Sequence, residues 1–98
     1  MMNDHKIIVK YKNQKLSESF IRKFANKVDW ELISVYQTLS ESFVREFADK
    51  VNWNIISSSQ SLSEEFIREF QDNFAWYNIS QYQILSESFI REFANKVD

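Results

Sequence analysis

The sequence contains no glycine, no proline and no cysteine. Without glycine there is no phosphate-cradling loop, no nucleophile elbow and no tight hairpin turn that needs positive φ. With proline missing as well, the strongest local punctuators of a chain are gone, and the composition points to an all-helical protein. Without cysteine there is no disulfide framework, no thiolate metal site and no thiol nucleophile, which fits a reducing compartment. Long apolar runs are also missing. The longest aliphatic run is Ile7 to Val9, far below the roughly 20 residues of a membrane span and short of a signal-peptide core. Histidine occurs once, as His5 in the leading segment, and no His, Asp and Glu set has metal-ligand spacing. A general acid, base or nucleophile poised for catalysis is not apparent. Glu64 and Glu65 read as a doubled helix-start acid, and Asn78-Ile79-Ser80 is a chance match to a glycosylation acceptor. The expectation is a cytoplasmic protein that is not an enzyme, with no cofactor, no metal and no membrane partner.

What the chain does have is aromatic and charged. Nine Phe, four Tyr and three Trp in 98 residues suffice for the core of one small domain but hardly two, so a single domain over 1–98 is expected. The net charge of -2 hides an asymmetry. Met1 to Val28 holds seven bases against two acids, giving +5, and Asp29 to Asp98 holds five bases against twelve acids, giving -7. One end is basic and the other acidic.

The segment LSESFIRKFANKVD at 16–29 returns as LSESFIREFANKVD at 85–98. Leu16, Leu39, Leu62 and Leu85 are spaced by 23, and Trp30, Trp53 and Trp76 keep the same step. The chain is a tandem array with the unit L-S-E-x-F-[IV]-R-x-F-x-x-x-[VF]-x-W-x-x-I-S-x-x-Q-x. In the second copy Ser40 is a natural N-cap, Glu41 favours the first-turn dipole, and Leu39 can staple onto Val44. Phe43, Val44, Phe47, Ala48 and Val51 then share one face of a helix of about three turns. Arg22, Arg45, Arg68 and Arg91 each follow a Glu by four residues, a spacing that favours an intrahelical ion pair over phosphate binding. Trp, Ile, Ser and Gln at i, i+3, i+4 and i+7 define a second, shorter helix with one inward face. Asp29 and Asn52 suit its cap and Ala75 does not. The recurring Ser and Gln either form a polar ladder for a ligand or satisfy backbone groups and the indole N–H where helices pack.

Neither helix alone can bury its Phe, Trp and Leu residues, so neighbouring units must supply the core. The predicted fold is all-α, a short right-handed α-solenoid of alternating long and short helices, about seven in number. Its units are 16–38, 39–61, 62–84 and a truncated 85–98, preceded by a degenerate basic leader over 1–15. The leader echoes the short helix, with Ile7 at the Trp position, but its Val9-Lys10-Tyr11-Lys12 alternation also fits a strand. At the other end Leu85, Phe89, Phe93 and Val97 lack a following unit, so the basic first unit of one molecule is expected to dock on the acidic last unit of another.

The block LSESFVREFADKVNWNIISSSQS resembles short tandem repeats of the form LSE-x-F-IREF-x-x-x-VDW-x-x-IS-x-x-Q, found in phage, large DNA virus and bacterial proteins. The resemblance covers Leu16 to Asp98 and implies helical repeats in a phage or viral setting, hence the cytoplasm of a host cell. It brings no catalytic residues.

Repeat scaffolds keep framework letters and vary an exposed face. The varying letters lie in the short helices, and Leu32, Val35, Tyr36, Ile55, Tyr77, Gln81 and Tyr82 are the candidate partner-binding residues, an apolar and aromatic strip suited to a protein partner. With the resemblance, this suggests a small phage- or virus-encoded inhibitor that occludes a host defence protein, such as a CRISPR-type nuclease. A nucleic-acid-binding protein is the alternative, using Lys6, Lys10, Tyr11, Lys12, Lys15, Arg22 and Lys23 on phosphates. The acidic remainder opposes it.

Overall fold

A computed structural model describes residues 14–96 of the chain. Among the described residues there are seven helices and no strand: α1 (Glu18–Lys23), α2 (Trp30–Tyr36), α3 (Glu41–Glu46), α4 (Trp53–Ser59), α5 (Glu64–Glu69), α6 (Trp76–Tyr82) and α7 (Glu87–Glu92). The protein is an all-α tandem helical repeat. His5, Val97 and all but the last two residues of the leader lie outside the described residues, and the choice there between helix and strand with them. The chain divides into two compact units, Met1–Asn52 and Trp53–Asp98.

Each helix of the LSE type starts as its letters dictate. Ser17, Ser40, Ser63 and Ser86 sit in extended backbone and accept the N–H of Phe20, Phe43, Phe66 and Phe89 at 3.1 to 3.2 Å. These side chains take one of the donors that every helix start leaves without an intrahelical partner.

The stretch expected as three helical turns is instead six residues of α-helix followed by a tightened turn. The break falls at Phe24, Phe47, Phe70 and Phe93, with φ between -108° and -112° and ψ between 27° and 33°. Beyond it Lys27, Lys50, Asn73 and Lys96 donate to the carbonyls of those Phe residues at 2.8 to 2.9 Å, an i to i+3 pattern. Two causes combine. Asn26, Asp49, Asp72 and Asn95 stand in the stretch and compete with helical bonding. In addition, the indole Nε1 of Trp30 donates to the Ala25 carbonyl at 3.0 Å, and that of Trp76 to the Gln71 carbonyl at 2.8 Å, taking oxygens orphaned at the helix end. Of the two alternatives for the recurring Ser and Gln, backbone groups or the indole N–H, the indoles of Trp30 and Trp76 are met by backbone oxygens instead.

In the first unit Trp30 packs on Phe43 and Phe47, with ring centroids 6.2 and 5.0 Å away, and Ile21 and Ile33 are buried. In the second unit Trp53 lies 5.1 Å from both Phe70 and Phe74, meeting Phe74 edge-on, and Trp76 lies 5.2 Å from Phe93. Phe66, Ile67, Ile79 and Phe89 complete that core. Full burial of each such side chain contributes roughly 1.5 to 3 kcal/mol. Every Trp helix therefore packs on the LSE helix that follows it. The boundary between the two compact units accordingly falls just before a tryptophan, Trp53.

The cap of α2 is as expected: the Asp29 carboxylate accepts from Glu31 N at 2.9 Å and Leu32 N at 3.3 Å. Ala75 provides no side-chain bond to α6.

Candidate binding surfaces

The recurring polar letters are spent on the backbone. Ser34, Ser57 and Ser80 each donate to the carbonyl four residues back, that of Trp30, Trp53 and Trp76, at 2.6 to 2.8 Å. Ser34 Oγ also accepts from Asn52 N, and Ser57 Oγ from Ala75 N. Gln37 accepts from Leu16 N and donates to the Gln14 carbonyl, both at 2.7 Å. Gln83 does the same in the second unit, accepting from Leu62 N and donating to the Gln60 and Ser57 carbonyls. Gln83 thus holds the segment between α4 and α5, and Gln37 the segment that leads into α1. No buried side-chain N or O among the described residues is left without a partner.

For Arg22 and Arg68 the expected intrahelical Glu–Arg pairing is replaced by pairing between repeats. Arg22 forks onto Glu46 through Nε and Nη2, at 3.0 and 2.9 Å, with its guanidinium 5.5 Å from the Phe43 ring centroid. Arg68 treats Glu92 and Phe89 identically, at 3.0, 2.8 and 5.5 Å. The glutamates four residues earlier are engaged elsewhere. Glu18 accepts from both N and Oγ of Ser40, and Glu64 from both N and Oγ of Ser86. A planar guanidinium fork matches a carboxylate bidentately. The hydrogen bond from Arg22 holds the Glu46 carboxyl below the usual carboxylate range, and Arg68 does so for Glu92, while both guanidinium groups are shifted up in return.

Among the candidate partner-binding residues on α2, Leu32 neighbours both Val35 and Tyr36, three and four residues on, and Val35 also neighbours Glu31. Tyr36 and Val35 are exposed and Leu32 is half-buried. In the second unit Ile55 is half-buried on α4, and Tyr77 with Gln81 occupies one flank of α6 while Tyr82 occupies the other. Tyr77, Gln81 and Tyr82 are exposed. Asn78, on the flank of Tyr82, is a clamp: its Nδ2 donates to the Asn54 carbonyl at 3.1 Å.

Tyr82 borders a groove of about 370 Å³ lined by Ser61, Leu62, Ser63, Gln83 and Ile84. Ile84 is 97 % exposed, the most exposed large apolar side chain of the described residues. It stands beyond the end of α6 and was not among the candidate partner-binding residues. Its signal was present in the repeat: Ile84 stands where the earlier copies have the polar Thr38 and Ser61.

Of the residues considered for phosphate binding, Lys6, Lys10, Tyr11 and Lys12 lie outside the described residues. Lys15 and Lys23 are exposed, and Arg22 is committed to Glu46. Among the described residues no group of His, Cys, Asp and Glu is placed to hold a metal ion, and no helix is long and apolar enough to cross a membrane. No family model, no curated protein and no solved structure matches the chain.

Proposed function

We propose that this protein is a non-catalytic protein-interaction module whose binding surface centres on Tyr82 and Ile84 in the second unit, with Tyr77 and Gln81 on the other flank of α6. One observation carries the reading. The repeat buries Phe43, Phe66 and Phe89 and half-buries its Trp side chains, yet leaves Tyr77, Tyr82 and Ile84 at 66, 59 and 97 % exposure, all at positions that vary between copies. Tyrosine combines a rigid apolar ring with a polar tip, the combination that dominates binding hot spots. A groove with backbone and serine groups at its wall supplies polar partners around them.

The test is affinity capture from the source cell with wild type and a Tyr82→Ala, Ile84→Ser variant, read alongside urea unfolding. The reading expects a defined protein to be held by wild type and released at least tenfold by the variant, with the unfolding midpoint unchanged. Equal capture by both forms, or a variant that loses stability instead of binding, overturns it. The narrower proposal, an inhibitor that occludes a host defence protein, is supported by the repeat resemblance and the small size. Co-expression with candidate defence systems that leaves their protection intact would count against that part alone.

A further inference from the structure

Gln83 pairs with the connection from α4 to α5 as a neighbouring main chain would. Its side-chain amide donates to the Gln60 carbonyl at 2.8 Å and accepts from Leu62 N at 3.2 Å, the two bonds that one residue offers to one edge of an extended segment. That connection runs into Ser63, which is extended at φ -75° and ψ 154°. In such a segment the main-chain groups of adjacent residues point to opposite edges, so the N–H and C=O of Ser61 face away from the Gln83 amide. Among the described residues they have no hydrogen-bond partner. Ser61 lines the groove beside Tyr82 and Ile84.

These places are open by the design of the repeat. Thr38 and Ser61, which stand where Ile84 stands, are exposed although a further repeat follows each of them in sequence. Tyr36 and Ser59, at the place of Tyr82, are exposed in the same way.

The groove is also uncharged. Residues 53–63 and 73–86 hold no acidic or basic side chain. Glu64, adjacent in sequence, has its carboxylate on Ser86 N and Oγ. A charged occupant would lose hydration here without gaining a counter-charge, so the complementary ligand is neutral.

We infer that this groove takes an extended, uncharged peptide segment of the partner protein, one residue of which exchanges main-chain hydrogen bonds with Ser61 while an apolar side chain packs on Tyr82 and Ile84. This mode of recognition rests on the protein-interaction reading above.

The probes are peptides from a displayed random library, selected on the whole chain and counter-selected on the Tyr82→Ala, Ile84→Ser variant. The selected peptides should share an uncharged core with at least one aromatic or aliphatic residue. Their affinity should change less than about twofold between low and high salt. N-methylation of one core amide removes a donor and leaves the side chains in place; it should weaken binding about tenfold or more, whereas methylation of flanking amides should not. Peptides that depend on Tyr82 and Ile84 but are charged, salt-sensitive or indifferent to N-methylation overturn the inference and leave the protein-interaction reading standing. Peptides that bind the variant as tightly as wild type remove the Tyr82 and Ile84 surface, and the inference with it. Failure to enrich any peptide overturns the extended-segment inference alone, as does wild-type self-association in sedimentation that Ile84→Ser abolishes, which would give the groove to a second copy.

Discussion

Gln37 Nε2 donates to the main-chain oxygen of Gln14, its counterpart one repeat earlier, at 2.7 Å. The same side chain accepts Leu16 N at 2.7 Å, so one buried amide serves as both donor and acceptor for the segment leading into α1. Such a residue holds two repeats in register through geometry as well as through apolar area. It is also a site where a change of shape-matched polarity has a large effect.

Replacing Gln37 with Leu is expected to destabilise the protein by about 2 kcal/mol, since Leu16 N–H and the Gln14 carbonyl both lose their partner. Urea denaturation followed by circular dichroism reads the effect. Gln81→Leu, at an exposed position of α6, is the control and should stay within about 0.5 kcal/mol of wild type.

Acid should weaken the seams through Glu46 and Glu92. Their carboxyl groups titrate below the usual range when folded because Arg22 and Arg68 bond to the charged form. The unfolded chain therefore takes up these protons first. The stability they contribute is present above the ordinary carboxylate range and is lost as pH falls through the depressed folded values. A Glu46→Gln, Glu92→Gln variant should be less stable at neutral pH, show a shallower acid limb in its urea midpoint, and converge with wild type once both carboxylates are protonated. A parallel pair of pH curves would contradict this.

Ala75 occupies the cap position of α6 without making a cap bond, whereas Asp29 makes two at the equivalent place on α2. Ala75→Asp is expected to stabilise the second unit by about 1 kcal/mol, read as a rise in the unfolding midpoint.

The 23-residue step, the serine caps and the two helix types were legible from letters alone, because capping and apolar periodicity act within a few residues of sequence. The missing cap at Ala75 was legible for the same reason. The Arg22–Glu46 fork was not. In sequence Glu18 and Glu46 are both candidates for Arg22, at four and 24 residues, and local spacing favours the nearer one until the structure shows Glu18 held by Ser40. The shortened helix was hidden likewise, since a three-turn apolar stripe and a helix followed by a tight turn bury nearly the same Phe47 and Val51. Variability marks Ile84 as it marks the strip of candidate binding residues, but its exposure follows from its place beyond the end of α6, which letters alone do not fix.

The bonds that close the seams in each unit span 21 to 26 residues, so every donor finds its acceptor by counting roughly one repeat along the chain. Gain or loss of one whole 23-letter block through unequal recombination would rejoin like with like and leave the bonding scheme intact. An insertion of any other length would put out of step the bonds that straddle it. The arrangement makes gene length variable in steps of about 69 nucleotides, one 23-codon block at a time, as in other stacked repeats whose stability is a sum over neighbours.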